Sequence, residues 1–214
     1  RADSYEKITG RNEFGRVWRG IVKAIESGIR IKLNCVPVEG VNAEEIPAFF
    51  ELAKNNPIDV RFIEMMPIGH GREFQAVSAG DILELLRQRY DNIYEIREKK
   101  GNGPAVYYEN KDFEGSVGII EAVHKKFCSS CNRIRLTSEG FLKLCLYYKQ
   151  GIDLKTPMRK GISDQELAEM IRRAIAEKPR EHQFSCDIVN TRDTACGGQS
   201  GDVEEMKNMS QIGG

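Results

Sequence analysis

The sequence predicts an α/β fold that passes into a smaller α+β region, on three observations. Helical apolar stripes alternate with extended segments over residues 13–89, only short strands follow from Asn92, and three cysteines spaced C-x2-C-x13-C fall on a predicted hairpin. Phe14, Val17, Trp18, Ile21 and Ile25 form the first helical stripe, stopped by Gly28. A strand is expected over Ile29 to Val38. Asn42 then reads as the cap of a helix with Ile46, Phe49, Phe50 and Ala53 on its apolar side and Pro47 near its start, where proline costs least. The next strand is Asp59 to Met66. Ser78-x-x-Asp81 has the form of a capping box opening a helix to Arg89. Helix and strand in alternation imply a parallel sheet with right-handed crossovers.

Beyond Asn92 the expected strands are Ile93 to Arg97, Ala105 to Glu109 and Val117 to Val123. A hairpin follows, running out over Arg133 to Thr137, turning at Ser138-Glu139-Gly140 and returning over Phe141 to Leu146. One more helix is expected over Asp164 to Glu177, behind Ser163 and with Glu166 three residues on. No periodicity continues past Pro179. Glu98-Lys99-Lys100-Gly101-Asn102-Gly103 is the expected linker, giving domains over residues 1–97 and 98–214.

The chain has 214 residues, with 32 basic and 32 acidic side chains, and this balance removes any argument for nucleic-acid steering or a charged membrane surface. No apolar run approaches the ~18 residues of a spanning helix and no signal peptide is visible, so the expectation is a cytoplasmic protein. Six cysteines in a chain this long do not form a disulfide scaffold. Cys35, Cys186 and Cys196 lack ligand-like spacing and read as unligated thiols.

Cys128, Cys131 and Cys145 are different, because the hairpin would bring Cys145 opposite Asn132 or Arg133, beside the C-x2-C pair. Three buried thiols without a metal are the bland reading. Zinc would need a fourth ligand, for which His124 is the candidate. A [4Fe–4S] cluster held by three cysteines would leave one iron open to a small molecule. Arg133 and Arg135 follow Cys131 at i+2 and i+4, on one face of an extended strand, and favour the open iron with an anionic ligand such as a polyphosphate. A solvated charged face is the alternative for the arginines.

Two strands of the first half carry charge where a buried parallel strand should be apolar. Lys32 and Asn34 share a face of one, and Arg61 lies near Glu64 in the other. Such charges are either paired, as in a Lys32 or Arg61 bridge to Glu64, or turned to a wet cavity such as the mouth of a β/α barrel. Two parallel strands cannot close a barrel, and Arg1-Ala2-Asp3 lacks an initiator methionine, so an N-terminal truncation in mid-domain is expected.

Phe127-Cys128-Ser129-Ser130-Cys131-Asn132-Arg133-Ile134-Arg135-Leu136-Thr137, the spacing to Cys145, Arg61-Phe62-Ile63-Glu64-Met65-Met66 and the terminal Ile212-Gly213-Gly214 resemble one family. It is the family of molybdenum cofactor biosynthesis protein A, radical S-adenosylmethionine enzymes with GTP 3′,8-cyclase activity, and the likeness runs from Asp3 to Gly214. The resemblance implies the C-terminal part of an incomplete β/α (TIM-like) barrel followed by an α+β iron–sulfur domain. It implies Cys128, Cys131 and Cys145 as ligands of a [4Fe–4S] cluster whose open iron binds the purine of GTP. Arg133, Ile134, Arg135 and Lys32 correspond to GTP-binding residues, Met66 to a contact with S-adenosylmethionine, and Arg61, Gly213 and Gly214 to the catalytic pocket. GTP is the implied substrate, cyclic pyranopterin monophosphate synthase the downstream partner, and a homodimer an open option.

The departures from the family are also specific. The C-x3-C-x2-C motif of the second cluster, which cleaves S-adenosylmethionine, occurs nowhere in these residues, so radical initiation is not expected from them. The stretch from Asp193 to Asp202 is longer than the family's usual approach to its tail, which bears on where Gly213 and Gly214 fall. Two other classes stay in view: the auxiliary-cluster part of a different radical enzyme, and a zinc-stabilised, non-catalytic interaction module.

Overall fold

A computed structural model describes residues 1–98, 100–124, 127–184, 207 and 209–212. It divides into two compact units, one of residues 1–65 with 74–122 and one of residues 66–73 with 123–214.

The first unit begins with two helices, α1 (Ala2–Thr9) and α2 (Phe14–Glu26). The stripe on α2 is only partly covered: Ile21 and Ile25 reach the core, whereas Phe14 stacks on Trp18 with ring centroids 6.2 Å apart at the surface. Strand β1 (Ile31–Cys35) is shorter than expected, and Asn42 explains why. Its side chain does not cap the following helix but turns back on the strand's exit, accepting from the Val38 N–H at 2.7 Å and donating to the Val36 carbonyl at 3.1 Å. Helix α3 (Ile46–Lys54) starts instead with Pro47 in its first turn, and β2 (Ile58–Ile63) follows. Ser78 does cap α4 (Ala79–Arg89): its hydroxyl oxygen accepts from the Asp81 N–H at 3.0 Å.

Strands β3 (Tyr94–Ile96), β4 (Val106–Glu109) and β5 (Ser116–Ile120) complete one five-stranded sheet in the order β1-β2-β5-β4-β3. β1, β2 and β5 run parallel, and β4 and β3 add as an antiparallel hairpin. This departs from the boundary expected at residues 97/98, because strands beyond the charged linker return to the first sheet. Composition marks a linker locally, whereas the ladder from β2 to β5 joins segments far apart in sequence. Alternation then sorts the side chains. Ile58, Val60, Phe62, Val117 and Ile119 face α3 and α4, where Phe62 meets the rings of Phe49 and Phe50 edge-on at 6.0 and 5.6 Å. The opposite face carries Lys32, Asn34, Asp59, Arg61 and Ser116, with Ile63 and Ile120 at one end.

The second unit carries a three-stranded antiparallel sheet of β6 (Arg135–Leu136), β7 (Phe141–Lys143) and β8 (Gly151–Asp153), then α5 (Lys155–Arg159) and α6 (Asp164–Ala176). Ser163 and Glu166 form a complete capping box at α6. The hairpin turn lies where the sequence placed it, with Gly140 at φ 81°, a conformation that side chains with a Cβ rarely adopt. Its ladder is much shorter than expected, pairing only Arg135 with Lys143 and Leu136 with Leu142. Ile68, Val123, Leu146, Tyr147, Phe184 and Ile212 make the apolar core of this unit.

Candidate functional site

The charges expected in the first sheet occupy its polar face in two cross-strand rows. Lys32, Asp59 and Ser116 lie level with one another in the first row, and Asn34, Arg61, Gly118 and Tyr107 in the second. Asp59 is buried, yet every polar atom has a partner: Ser116 Oγ donates at 2.6 Å, Lys100 Nζ at 3.3 Å and Arg30 at 3.1 Å. Burial pushes the Asp59 carboxyl up, but the Ser116 hydroxyl and the Lys100 and Arg30 cations outweigh it and hold the group below its usual range. Lys100 also donates to Ser116 Oγ at 2.9 Å and stands 5.5 Å from the centre of the Tyr107 ring.

Lys32 is half-buried, donates to the carbonyl of Lys100 and stands 5.7 Å above the same Tyr107 ring. Arg61 donates from Nε to Asn34 Oδ1 at 2.8 Å. Gly118 makes room for this arrangement, since a Cβ there would lie 2.9 Å from the Tyr107 ring and 3.0 Å from Arg61 Cγ. Lys32 and Arg61 are therefore steered by amide and carbonyl oxygens on a face already crossed by the residue 100–103 loop.

In the second unit Cys128, Cys131 and Cys145 are free thiols of intermediate burial. A single turn of 3-10 helix, Cys128–Ser130, joins the first two. The register of β6 and β7, continued outward, brings Cys145 level with Arg133. Arg135 senses both Cys131 and Cys145: burial lowers its guanidinium from the ordinary value, the two sulfurs oppose that shift, and Arg133 adds to it. All three sulfurs are not drawn together, however. Among the described residues no three Cys, His, Asp or Glu side chains form a group that could hold a metal ion. The reason lies in the short ladder: with β6 starting at Arg135, no strand hydrogen bonds fix the course of the Cys128–Arg133 turn. In kind, three half-buried thiols, two of them near the Arg135 guanidinium, still suit an iron–sulfur group. His124, the zinc alternative, is exposed and belongs to no such group.

The remaining expected site residues are dispersed. Ile134 and Arg133 are exposed at the entry to β6. Met66 lies three residues beyond the end of β2 and packs against the core of the second unit, with its carbonyl accepting from the Ile68 N–H at 2.8 Å. Gly213, Gly214, Cys186, Cys196 and the 193–202 stretch lie outside the described residues. Ile212, next to that terminal pair, is 1% exposed in the core of the second unit rather than frayed. Sequence reasoning missed Asp59, Ser116 and Lys100. Asp59 alone left a signal, as a carboxylate opening an apolar strand.

These features define an α/β protein with a charged sheet face in one unit and, in the other, a hairpin carrying thiols and guanidinium groups. The family model described as Molybdenum Cofactor Synthesis C matches residues 58–184, and the chain belongs to that family. It is 43% identical over 182 residues to the GTP 3′,8-cyclase of Clostridium perfringens (strain SM101 / Type A), covering 85% of this chain and 56% of that protein. It is 44% identical over 186 residues to the GTP 3′,8-cyclase of Desulforamulus reducens, covering 85% and 57%, and 38% identical over 218 residues to that of Pelotomaculum thermopropionicum, covering 100% and 62%. The chain thus spans 56 to 62% of the length of these relatives. Among the described residues no helix is long and apolar enough to cross a membrane.

Proposed function

We propose that this chain is the GTP-binding, auxiliary-cluster portion of a GTP 3′,8-cyclase acting in molybdenum cofactor biosynthesis. The observation that carries this reading is the hairpin of the second unit, whose register, continued outward, brings Cys145 level with Arg133, just past the turn that joins Cys128 to Cys131. Cys128, Cys131 and Cys145 would hold a [4Fe–4S] cluster, which when bound offers the guanine an iron with no protein ligand. Arg133 and Arg135 bind the triphosphate as charge-assisted donors, and Ile134 supplies an apolar contact between them. On the sheet of the first unit, Lys32 adds an ammonium and Arg61 a guanidinium aimed by Asn34.

The three parallel strands are read as the last strands of an incomplete barrel, with β4 and β3 added at their edge. S-adenosylmethionine contacts at Met66 and catalytic contacts from Gly213 and Gly214 complete the assignment. The intact enzyme would convert GTP to (8S)-3′,8-cyclo-7,8-dihydroguanosine 5′-triphosphate for cyclic pyranopterin monophosphate synthase, in the cytoplasm. These 214 residues contain no C-x3-C-x2-C motif. This chain by itself is therefore expected neither to cleave S-adenosylmethionine nor to cyclise GTP.

Anaerobic reconstitution with iron and sulfide tests the reading. The chain should take up a brown [4Fe–4S] cluster, Cys145→Ala should abolish it, and Cys35→Ala should leave it intact. Stoichiometric zinc with no capacity for iron would overturn the proposal. Arg133→Ala or Arg135→Ala should weaken GTP binding roughly ten- to a hundredfold at constant iron content, from the ~1.5–3 kcal/mol of a charge-assisted hydrogen bond. Lysine at either position should restore only part, having the charge without the bidentate fork.

A further inference from the structure

Two residues past the end of α6, the ammonium of Lys178 donates to three acceptors of the cysteine turn. They are the carbonyl of Cys131 at 2.7 Å, the carbonyl of Arg133 at 2.8 Å and the sulfur of Cys131 at 3.4 Å. An ammonium has three N–H groups, so this one turn uses its full donor capacity. We propose that Lys178 is a positioning residue that clamps the turn from Cys131 to Arg133, fixing the Cys131 sulfur and the entry to the Arg133-Ile134-Arg135 segment. The consequences for GTP and the cluster rest on the function proposed above; the clamp itself rests on geometry alone.

The geometry favours a device over a chance surface contact. The turn lies outside the β6–β7 ladder, which begins only at Arg135, so it needs another constraint. Lys178 is well placed to supply one. Its own N–H bonds the Ile175 carbonyl at 3.1 Å, and Pro179, which restricts the residue before it, comes directly after. The stem therefore leaves the helix end from a fixed backbone. The two carbonyls bonded flank Asn132 on either side, so one cation holds both sides of the turn. An N–H donor on a ligating sulfur also withdraws charge from it, and such bonds raise the reduction potential of an iron–sulfur centre.

The test compares this chain with Lys178→Met, which keeps the aliphatic stem, Lys178→Gln as a second neutral variant, and Lys178→Arg, which keeps the charge. Backbone hydrogen exchange on the metal-free, reduced chain is measured first. Amides of residues 131–135 should exchange roughly five- to thirtyfold faster in the two neutral variants, as expected for losing ~1–2 kcal/mol of local stability, and return toward the parent rate in the arginine variant. Reconstituted chains are then titrated for midpoint potential, which should fall in the neutral variants and recover with arginine. Unchanged exchange at 131–135 would overturn the clamp, and an unchanged potential would overturn the contact with sulfur. A parent chain that takes up no iron would defeat the functional reading, while the exchange rates would still decide the clamp.

Discussion

On the sheet of the first unit, Lys32, Asp59 and Ser116 sit on three neighbouring strands in register, so the parallel ladder sets their spacing before any side chain contributes. The hairpin of the second unit has two residue pairs in register, and its cysteine turn lies beyond them. Single side chains add to that short ladder: Lys178 across the Cys131–Arg133 turn, and Thr137, whose hydroxyl oxygen accepts from the Phe141 N–H at 3.2 Å. The cysteine turn is held at fewer points than the sheet.

Perturbing the scaffold should have the largest effect. Phe62→Ala empties a fully buried site between two aromatic rings and should cost about 3–5 kcal/mol in denaturant unfolding. It should also expose Cys35. Burial, with a smaller contribution from Glu45, pushes that thiol up to about 12, so in the parent it should resist alkylation at pH 8. Rapid Cys35 labelling in the parent would show that the sheet is less rigid than its ladder implies.

Asp59→Asn should cost less, about 1.5–3 kcal/mol at neutral pH, because it weakens bonds from Ser116, Lys100 and Arg30 without opening a cavity. The sign of the pH dependence follows from a lowered folded-state value. The stabilisation is complete above the unfolded carboxyl value of about 3.9 and is lost as pH falls through the lower folded one. Parent and variant should therefore converge in stability in strong acid, and a gap that stayed constant to pH 2 would contradict the assignment.

The smallest effect, about 1 kcal/mol, is expected for Ser163→Ala, which removes the capping box of α6. Lys178 lies just past the other end of the same helix. Thermal unfolding should detect the lost cap, whereas hydrogen exchange at residues 131–135 should stay at the parent rate. Faster exchange there would mean that the cysteine turn depends on the whole helix rather than on one lysine.

Local signals in the sequence determined the elements with near-neighbour causes: the Ser78 and Ser163 caps, the Gly140 turn, the alternation that separates Phe62 from Arg61, and the cysteine spacing. Each is written within a few residues, so the chain carries it without knowledge of its fold. Which residues meet across long separations depends on the packed fold. Ser116 reaches Asp59 across 57 positions, and Lys178 reaches Cys131 across 47. Lys100, in what reads as a charged linker, proves to be the cation between Asp59 and Ser116. Asn42, a plausible helix cap, bonds to the preceding strand exit instead. A polar side chain on a flexible stem has many acceptors that satisfy it equally well in sequence terms. Which one it takes is set by the backbone brought beside it, and that depends on the packing of the whole unit.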